Sequence, residues 1–291
     1  MSYLLDAGFY LALALGLVAG RLHPFPKTWG SPLIQVTILL LVATLGFQLG
    51  TQRLLEAPLL VGESALFALL LVLVTSVFSL LLGGRARRSP APRSRRLEQL
   101  RLPLLILGAL LVGYFLGVVF SSVPLAGPTA VEDADLLLLL FLVGWDIRLT
   151  RAALRRAAVP LASAGLGVAV LIPFVALVSG TPWNVSAAVL CAFGWYTLAG
   201  PVVASGAGAS IGLLAFLTNF LRENFTMLGS QAIGGFSGPE GIAACGGATA
   251  MDTTLFFVAD YGGPEAGGAA LTSGAILTLA APFLLTLLLL L

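Results

Sequence analysis

The chain has 291 residues, of which 58% are hydrophobic and only 10% are charged, and its mean hydropathy is +1.03. These values lie far outside the range of a soluble domain. The sequence therefore predicts an integral membrane protein.

Apolar stretches of about 20 residues, the length that a helix needs to cross about 30 Å of hydrocarbon, recur along the whole chain. Their continuous Leu-, Ala- and Gly-rich character excludes a barrel and predicts an all-α polytopic membrane protein of eight to ten transmembrane helices. The first stretch has no basic residues before it, which favours a retained span over a cleaved signal peptide. The predicted spans are 3–20, 31–49, 58–83, 102–121, 134–150, 158–180, 184–206, 208–229, 240–260 and 267–291.

Basic residues sort to one side of the membrane if the N-terminus is outside. Thirteen of the 15 then lie in cytoplasmic loops, as the positive-inside rule requires. With ten spans in the cytoplasmic membrane, both termini are expected on its outer side. The loop with most of these residues, RARRSPAPRSRRLEQLR at 85–101, is interpreted as a topology determinant in preference to a nucleic-acid or anionic-lipid site. We expect membrane lipid, and no nucleic acid, as a partner.

An internal repeat flanks this basic loop. GLVAG at 16–20 recurs as GYFLG at 113–117, and ILLLVATLGFQLGT at 38–51 recurs as LLLLFLVGWDIRLT at 137–150. Each unit has three spans, and because this number is odd, the second copy has the opposite orientation in the membrane. Such inverted repeats are frequent in secondary transporters. The predicted segments are a first three-helix repeat at 1–83, a basic linker at 84–101, a second three-helix repeat at 102–180 and a C-terminal set of transport-site helices at 181–291.

Two acidic residues, Glu223 and Asp252, lie well inside apolar spans. An ionisable group in the bilayer core costs at least about 2.5 to 3.5 kcal/mol, so it persists where it faces a cavity or a partner. The pair suggests a cation or proton path. The structural alternative is an ion pair such as Glu223 with Arg222, or acids hydrogen-bonded within the bundle.

Helical spacing adds an amide to the first acid. Asn219 and Glu223 share one face with smaller residues at intervals of three and four. We expect both side chains to point into one cavity and to offer an amide and a carboxylate to an ammonium group.

The second acid follows two adjacent glycines, Gly246 and Gly247, which predict a broken or re-entrant helix. Irregular backbone at membrane depth is tolerated where it lines a cavity or is buried in protein. Hydroxyl groups surround Asp252 and join it as candidate binding groups; they belong to Thr249, Thr253 and Thr254.

A second predicted break lies at Gly200 and Pro201, just after Trp195 and Tyr196. Discontinuous helices at membrane depth mark transporter binding sites. The two aromatic rings could contact an alkylammonium by cation–π interaction, with anchoring or packing as the alternative.

The remaining chemistry-bearing residues predict no metal site and no cofactor. Cys191 and Cys245 lie in apolar segments and are interpreted as small buried residues, because spacing alone does not imply a disulfide. Together with the single histidine, His23, they cannot form a zinc site, so a bound cation would need oxygen ligands.

Three stretches carry a family resemblance along essentially the whole chain: FGWYTLAG at 193–200, NFLREN at 219–224 and CGGATAMDTTLFF at 245–257. With them the chain resembles the lysine exporters of the LysO type. The resemblance implies a non-enzymatic secondary active transporter that exports L-lysine, and analogues such as thialysine, across the cytoplasmic membrane in exchange for protons. It also implies that Glu223 and Asp252 are the two functional acids.

The mechanism expected from this resemblance is competition between protons and lysine for the two carboxylates. Free N–H groups near 246–248 or 200–204 would hold the substrate carboxylate. The nearest alternative is a sodium/proton antiporter or a sodium-coupled organic-ion carrier, which shares the same features. An intramembrane aspartyl protease and a passive channel or structural membrane protein are weaker alternatives, and the oligomeric state stays open.

Overall fold

A computed structural model describes residues 2–23, 27–51, 58–83, 101–120, 134–135, 137–142, 145 and 155–291. These ranges are mainly helical and contain no strand. The ten α-helices with bounds are α1 (Ser2–Leu22), α2 (Lys27–Thr51), α3 (Pro58–Gly83), α4 (Arg101–Val119), α5 (Ala158–Ser179), α6 (Trp183–Leu190), α7 (Tyr196–Ala207), α8 (Ala209–Gly246), α9 (Leu255–Gly262) and α10 (Pro264–Leu290), with a 3-10 helix at Gly247–Met251.

Three helices of the described part are long and apolar enough to cross a membrane, at Leu59–Gly83, Ala158–Ser179 and Glu265–Leu290. The all-α membrane class is therefore confirmed. The count of eight to ten spans stays a prediction. The basic linker up to residue 100 and about half of the predicted span at 134–150 lie outside the described residues.

The chain divides into two compact units. One comprises 1–58, 97–148 and 200–213, and the other comprises 59–96, 149–199 and 214–291. These units do not follow the four consecutive segments that the sequence predicts, whose boundaries stay a prediction.

Glycines set the helix packing in the first unit. A Cβ at Gly113 or Gly117 of α4 would meet the backbone carbonyl oxygen of Ala43 or Phe47 in α2. Small residues permit this close approach of helix backbones. In α1, a Cβ at Gly16 or Gly20 would likewise meet the carbonyl oxygen of Phe141 or Trp145.

These two sets of contacts correspond under the proposed repeat. An offset of 97 carries 16–20 onto 113–117, and the offset of 99 between 38–51 and 137–150 carries 42 and 46, one residue before 43 and 47, onto 141 and 145. Gly16 and Gly20 thus contact the second copy at positions that correspond, to within one residue, to those at which Gly113 and Gly117 contact the first copy. This exchange supports the inverted repeat, which stays a prediction.

The second unit contains two discontinuous stretches of helix. The first runs through α6, breaks at 191–195 and resumes at Tyr196. The second follows Gly238, where φ 78° and ψ −178° interrupt α8, and passes through 239–246, the 3-10 helix and α9. Two of the predicted spans, 184–206 and 240–260, are thus discontinuous in the structure.

The first break does not lie where the sequence predicts it. Helix α7 continues through Gly200 and Pro201, and the interruption occurs six or more residues earlier, at Phe193 (φ 52°) and Gly194 (φ 95°). A proline inside a helix removes one N–H donor, and here that loss does not end the helix. The predicted break at Gly246 and Gly247 is observed, because α8 ends at Gly246 and Gly247 has φ 65°.

Candidate functional site

The two helix breaks of the second unit pack directly against each other. The N–H of Ala248 donates to the carbonyl oxygen of Phe193 at 2.8 Å. A Cβ at Gly247 would collide with that same oxygen, and a Cβ at Gly194 would lie 2.8 Å from the carbonyl oxygen of Gly246. Because both glycines also have positive φ, only glycine fits this crossing without strain.

Asn219 of α8 holds the first break. Its Oδ1 accepts from the N–H of Gly194 at 2.8 Å, and its Nδ2 donates to the carbonyl oxygens of Val189 at 2.8 Å and Ala215 at 2.9 Å. The side chain is fully buried. The Oδ1 atom, which is the one that could accept from an ammonium group, accepts from the N–H of Gly194. In this structure Asn219 therefore stabilises the break, and its contact with a substrate ammonium stays a prediction.

Arg222, one turn further along α8, holds the second break. Its Nε donates to the carbonyl oxygen of Cys245 at 2.8 Å and its Nη2 to that of Ala244 at 3.0 Å. These carbonyls end the helical part of α8, where unpaired C=O groups carry partial negative charge that a cation stabilises. The side chain is fully buried, and Nη1 has no hydrogen-bond partner among the described residues.

Glu223 is the next residue, and its carboxylate faces the crossing of the two breaks. The Thr253 hydroxyl donates to Oε1, whereas Oε2 accepts no hydrogen bond of normal geometry from any described residue. The Tyr196 hydroxyl and the Asp252 carboxylate both interact electrostatically with this group. Glu223 is fully buried and is not ion-paired with Arg222, whose Nε and Nη2 donate to backbone carbonyls.

Tyr196 is fixed by aromatic packing at the start of α7. Its ring makes edge-to-face contacts with Phe216 and Phe220 of α8, at centroid distances of 5.5 Å and 5.3 Å. This packing directs the hydroxyl toward the acids, so Tyr196 contributes a polar group where a cation–π face was predicted. Trp195 lies in the break itself and is partly exposed, and its predicted contact with an ammonium stays untested.

Asp252 follows the 3-10 helix, with φ −131° and ψ −94°. Its Oδ1 accepts from the N–H of Thr253 at 2.5 Å, and the Thr253 hydroxyl lies 3.2 Å from the same oxygen. Thr253 therefore contacts both acids. In contrast to Glu223, the Asp252 side chain is exposed.

The other two threonines stabilise the break. The Thr249 hydroxyl donates to the carbonyl oxygen of Gly246 at 3.0 Å and lies 2.9 Å from the Thr254 hydroxyl. Both residues are buried. The hydroxyls satisfy each other and the backbone, so Thr253 is the threonine that reaches a carboxylate.

Helix α10 supports the second break from behind. A Cβ at Gly274 would meet the N atom of Met251 and the carbonyl oxygen of Ala248, and the Thr278 hydroxyl lies 3.7 Å from the Met251 sulfur. This close packing fixes the 3-10 helix against a membrane-capable helix.

The cysteines are free and buried, as the sequence predicts. The Cys245 sulfur lies 3.2 Å from the Ser76 hydroxyl of α3. No group of three or more His, Cys, Asp or Glu side chains in the described ranges could hold a metal ion.

Sequence reasoning did not find the role of Arg222. The available signal was a second ionisable residue beside Glu223 in an apolar helix. The carbonyls that it caps lie 22 and 23 residues away, so no local pattern identifies them. The N–H of Ala248, which we expected to be free to bind the substrate carboxylate, instead donates to the carbonyl oxygen of Phe193.

Comparison with known proteins identifies the family of this chain. A protein of Escherichia coli (strain K12) described as "Lysine exporter LysO" is 30% identical over 204 residues, which cover 67% of this chain and 66% of that protein. The match thus spans slightly less than two thirds of the relative's length. No solved structure matches. The family model described as "Lysine exporter LysO" matches residues 107–289, which include the whole crossing of the two breaks, and the chain therefore belongs to the lysine exporter LysO family.

Proposed function

We propose that this protein exports L-lysine, and analogues such as thialysine, across the cytoplasmic membrane in exchange for protons. The observation that carries the proposal is Glu223, a fully buried carboxylate with one oxygen unpartnered among the described residues, at the crossing of two broken helices. Such a carboxylate needs a proton or a cation. Family membership supports lysine as that cation.

The two acids divide into a buried and an exposed position around Thr253. Asp252 would meet an incoming ammonium group first, and Glu223 would complete the binding. A proton and the ammonium then compete for the same oxygens. Because protons enter when lysine leaves, the proton gradient drives export.

Two contacts within the second unit are consistent with the alternation of helix ends that the proposed ten-span arrangement requires, whichever side is outside. Arg156, before α5, pairs with Glu265 at the start of α10 at 2.5 Å. Asn184, at the start of α6, donates to the carbonyl oxygen of Leu288 near the end of α10 at 3.1 Å. The ten-span arrangement expects each of these pairs on one side of the membrane, cytoplasmic and external respectively.

The test is efflux of labelled lysine from proteoliposomes that contain the purified full-length protein, driven by an imposed pH gradient. Glu223→Gln and Asp252→Asn should each abolish coupled lysine and proton movement. Matched controls are Glu240→Gln and Asp260→Asn, which alter partly exposed acids of α8 and α9 and should retain it.

Two results would contradict the proposal. The first is coupled transport that persists in both Glu223→Gln and Asp252→Asn. The second is flux that requires a sodium gradient and ignores pH, which would favour the sodium-coupled carrier.

A further inference from the structure

The three ionisable groups at the crossing of the breaks differ in their capacity to release or accept a proton. Arg222 is a guanidinium, which remains charged in proteins. Its charge is not matched by a carboxylate of its own, because its bonds go to the carbonyls of Cys245 and Ala244 and Nη1 has no partner among the described residues. Arg222 therefore supplies a constant positive charge.

Asp252 lies in a more polar setting than Glu223. It is exposed, and since a charged group facing lipid is costly, its exposed side must face water. The N–H of Thr253 donates to its Oδ1, whereas the single hydrogen of the Thr253 hydroxyl goes to Glu223. Hydrogen bonds to a carboxylate favour its charged form.

Glu223 is arranged to alternate between two forms. It is fully buried, the Thr253 hydroxyl donates to Oε1, and the Tyr196 hydroxyl also interacts with the carboxylate. The titratable groups that interact with it are Tyr196 from α7 and Asp252 from the second break. Arg222, the preceding residue of its own helix, directs its guanidinium to the carbonyls of Cys245 and Ala244. A buried carboxylate with one bare oxygen is neutralised either by a proton or by a cation that enters beside it.

We propose that Glu223 alone carries the exchanged proton, so that one proton is exchanged for one monovalent cationic amino acid and transport is electroneutral. This inference rests on the proposed function. At neutral pH lysine carries two ammonium groups and one carboxylate, a net charge of one, which equals that of the proton it replaces. A diamine of the same length without the carboxylate carries two charges and would leave one uncompensated charge in the buried site.

The direct test needs no variant. Full-length protein in proteoliposomes is given either a pH gradient of one unit or a potassium diffusion potential of about 120 mV, and the equilibrium distribution of labelled lysine is measured. We expect the pH gradient to shift the distribution about tenfold and the potential to shift it less than twofold.

Other distributions overturn the inference in distinguishable ways. A shift of about 100-fold with the potential would show that one net charge moves, since about 60 mV corresponds to a factor of ten per charge. A shift of about 100-fold per pH unit would show two protons. In either case the proposed lysine and proton exchange survives, whereas no lysine movement at all would refute both proposals.

A second measurement tests Arg222 as the constant charge. Cadaverine, the diamine, should compete with labelled lysine at least tenfold more weakly than unlabelled lysine does. Arg222→Lys keeps the charge and should preserve this preference, whereas Arg222→Gln removes it and should reduce the preference at least threefold. Equal competition by cadaverine in the unaltered protein would overturn the charge argument even if Arg222→Gln does not fold.

Discussion

Replacing Asn219 with alanine should destabilise the protein more than any other substitution of an amide in α8. The change leaves the buried N–H of Gly194 and the buried carbonyl of Val189 without their partner. Each unsatisfied buried group costs about 1–3 kcal/mol, so we expect a loss of about 2–6 kcal/mol. At about 2–4 °C per kcal/mol for a chain of this size, the midpoint of thermal unfolding should fall by roughly 5–20 °C.

Asn224 provides the matched control on the same helix. Its Nδ2 makes a local bond to the carbonyl oxygen of Phe220 at 2.8 Å and is only partly buried, so Asn224→Ala should cost about 1 kcal/mol or less. The assay heats each purified variant in detergent and measures the monodisperse fraction by size-exclusion chromatography. Equal midpoints for Asn219→Ala and Asn224→Ala would refute the assignment. A raised KM for lysine in Asn219→Ala without a lower midpoint would show that the amide binds substrate after all.

Two further substitutions test the crossing of the breaks. Gly247→Ala should cost about 2 kcal/mol or more, because φ is +65° and the added Cβ meets the carbonyl oxygen of Phe193. Gly235→Ala, where no neighbour lies within 4 Å, should leave the unfolding midpoint within 2 °C, and equal effects would contradict the packing. Thr253→Val removes the donor to Glu223 and should shift the competition toward the proton. A lost hydrogen bond to a charged group is worth about 1.5 kcal/mol or more, so the apparent KM for lysine at pH 7 should rise about tenfold, while Thr253→Ser should stay within twofold of the original. An unchanged KM in Thr253→Val would show that this contact is not used.

The two functional acids could be found from the sequence because an ionisable residue inside an apolar span has few structural explanations. Glu223 and Asp252 are 29 positions apart, yet the same cost argument applies to both. The sequence also indicated that the second acid follows a broken helix, since Gly246 and Gly247 are adjacent. The structure brings both acids to Thr253, a contact that no spacing rule predicts.

The first break and the role of Asn219 could not be located from local pattern. Gly200 and Pro201 form the stronger breaker signal, but Pro201 costs α7 only one donor and the helix continues. The actual break uses Gly194, whose N–H finds an acceptor 25 residues away on Asn219. Helical spacing correctly places Asn219 and Glu223 on one face, but it cannot tell which of the two has its hydrogen bonds satisfied by backbone.

Successive turns of α8 explain why both breaks can persist at membrane depth and still serve one site. Asn219 satisfies the backbone of the first break and Arg222 satisfies the carbonyls of the second, which removes the cost that irregular backbone would otherwise carry in hydrocarbon. Glu223 is the next residue of the same helix. It lies between the two breaks, and one of its carboxylate oxygens has no hydrogen-bond partner among the described residues. A rigid helical turn therefore fixes the geometry of the crossing, and the charge on Glu223 is the variable that a proton or a monovalent substrate can reset.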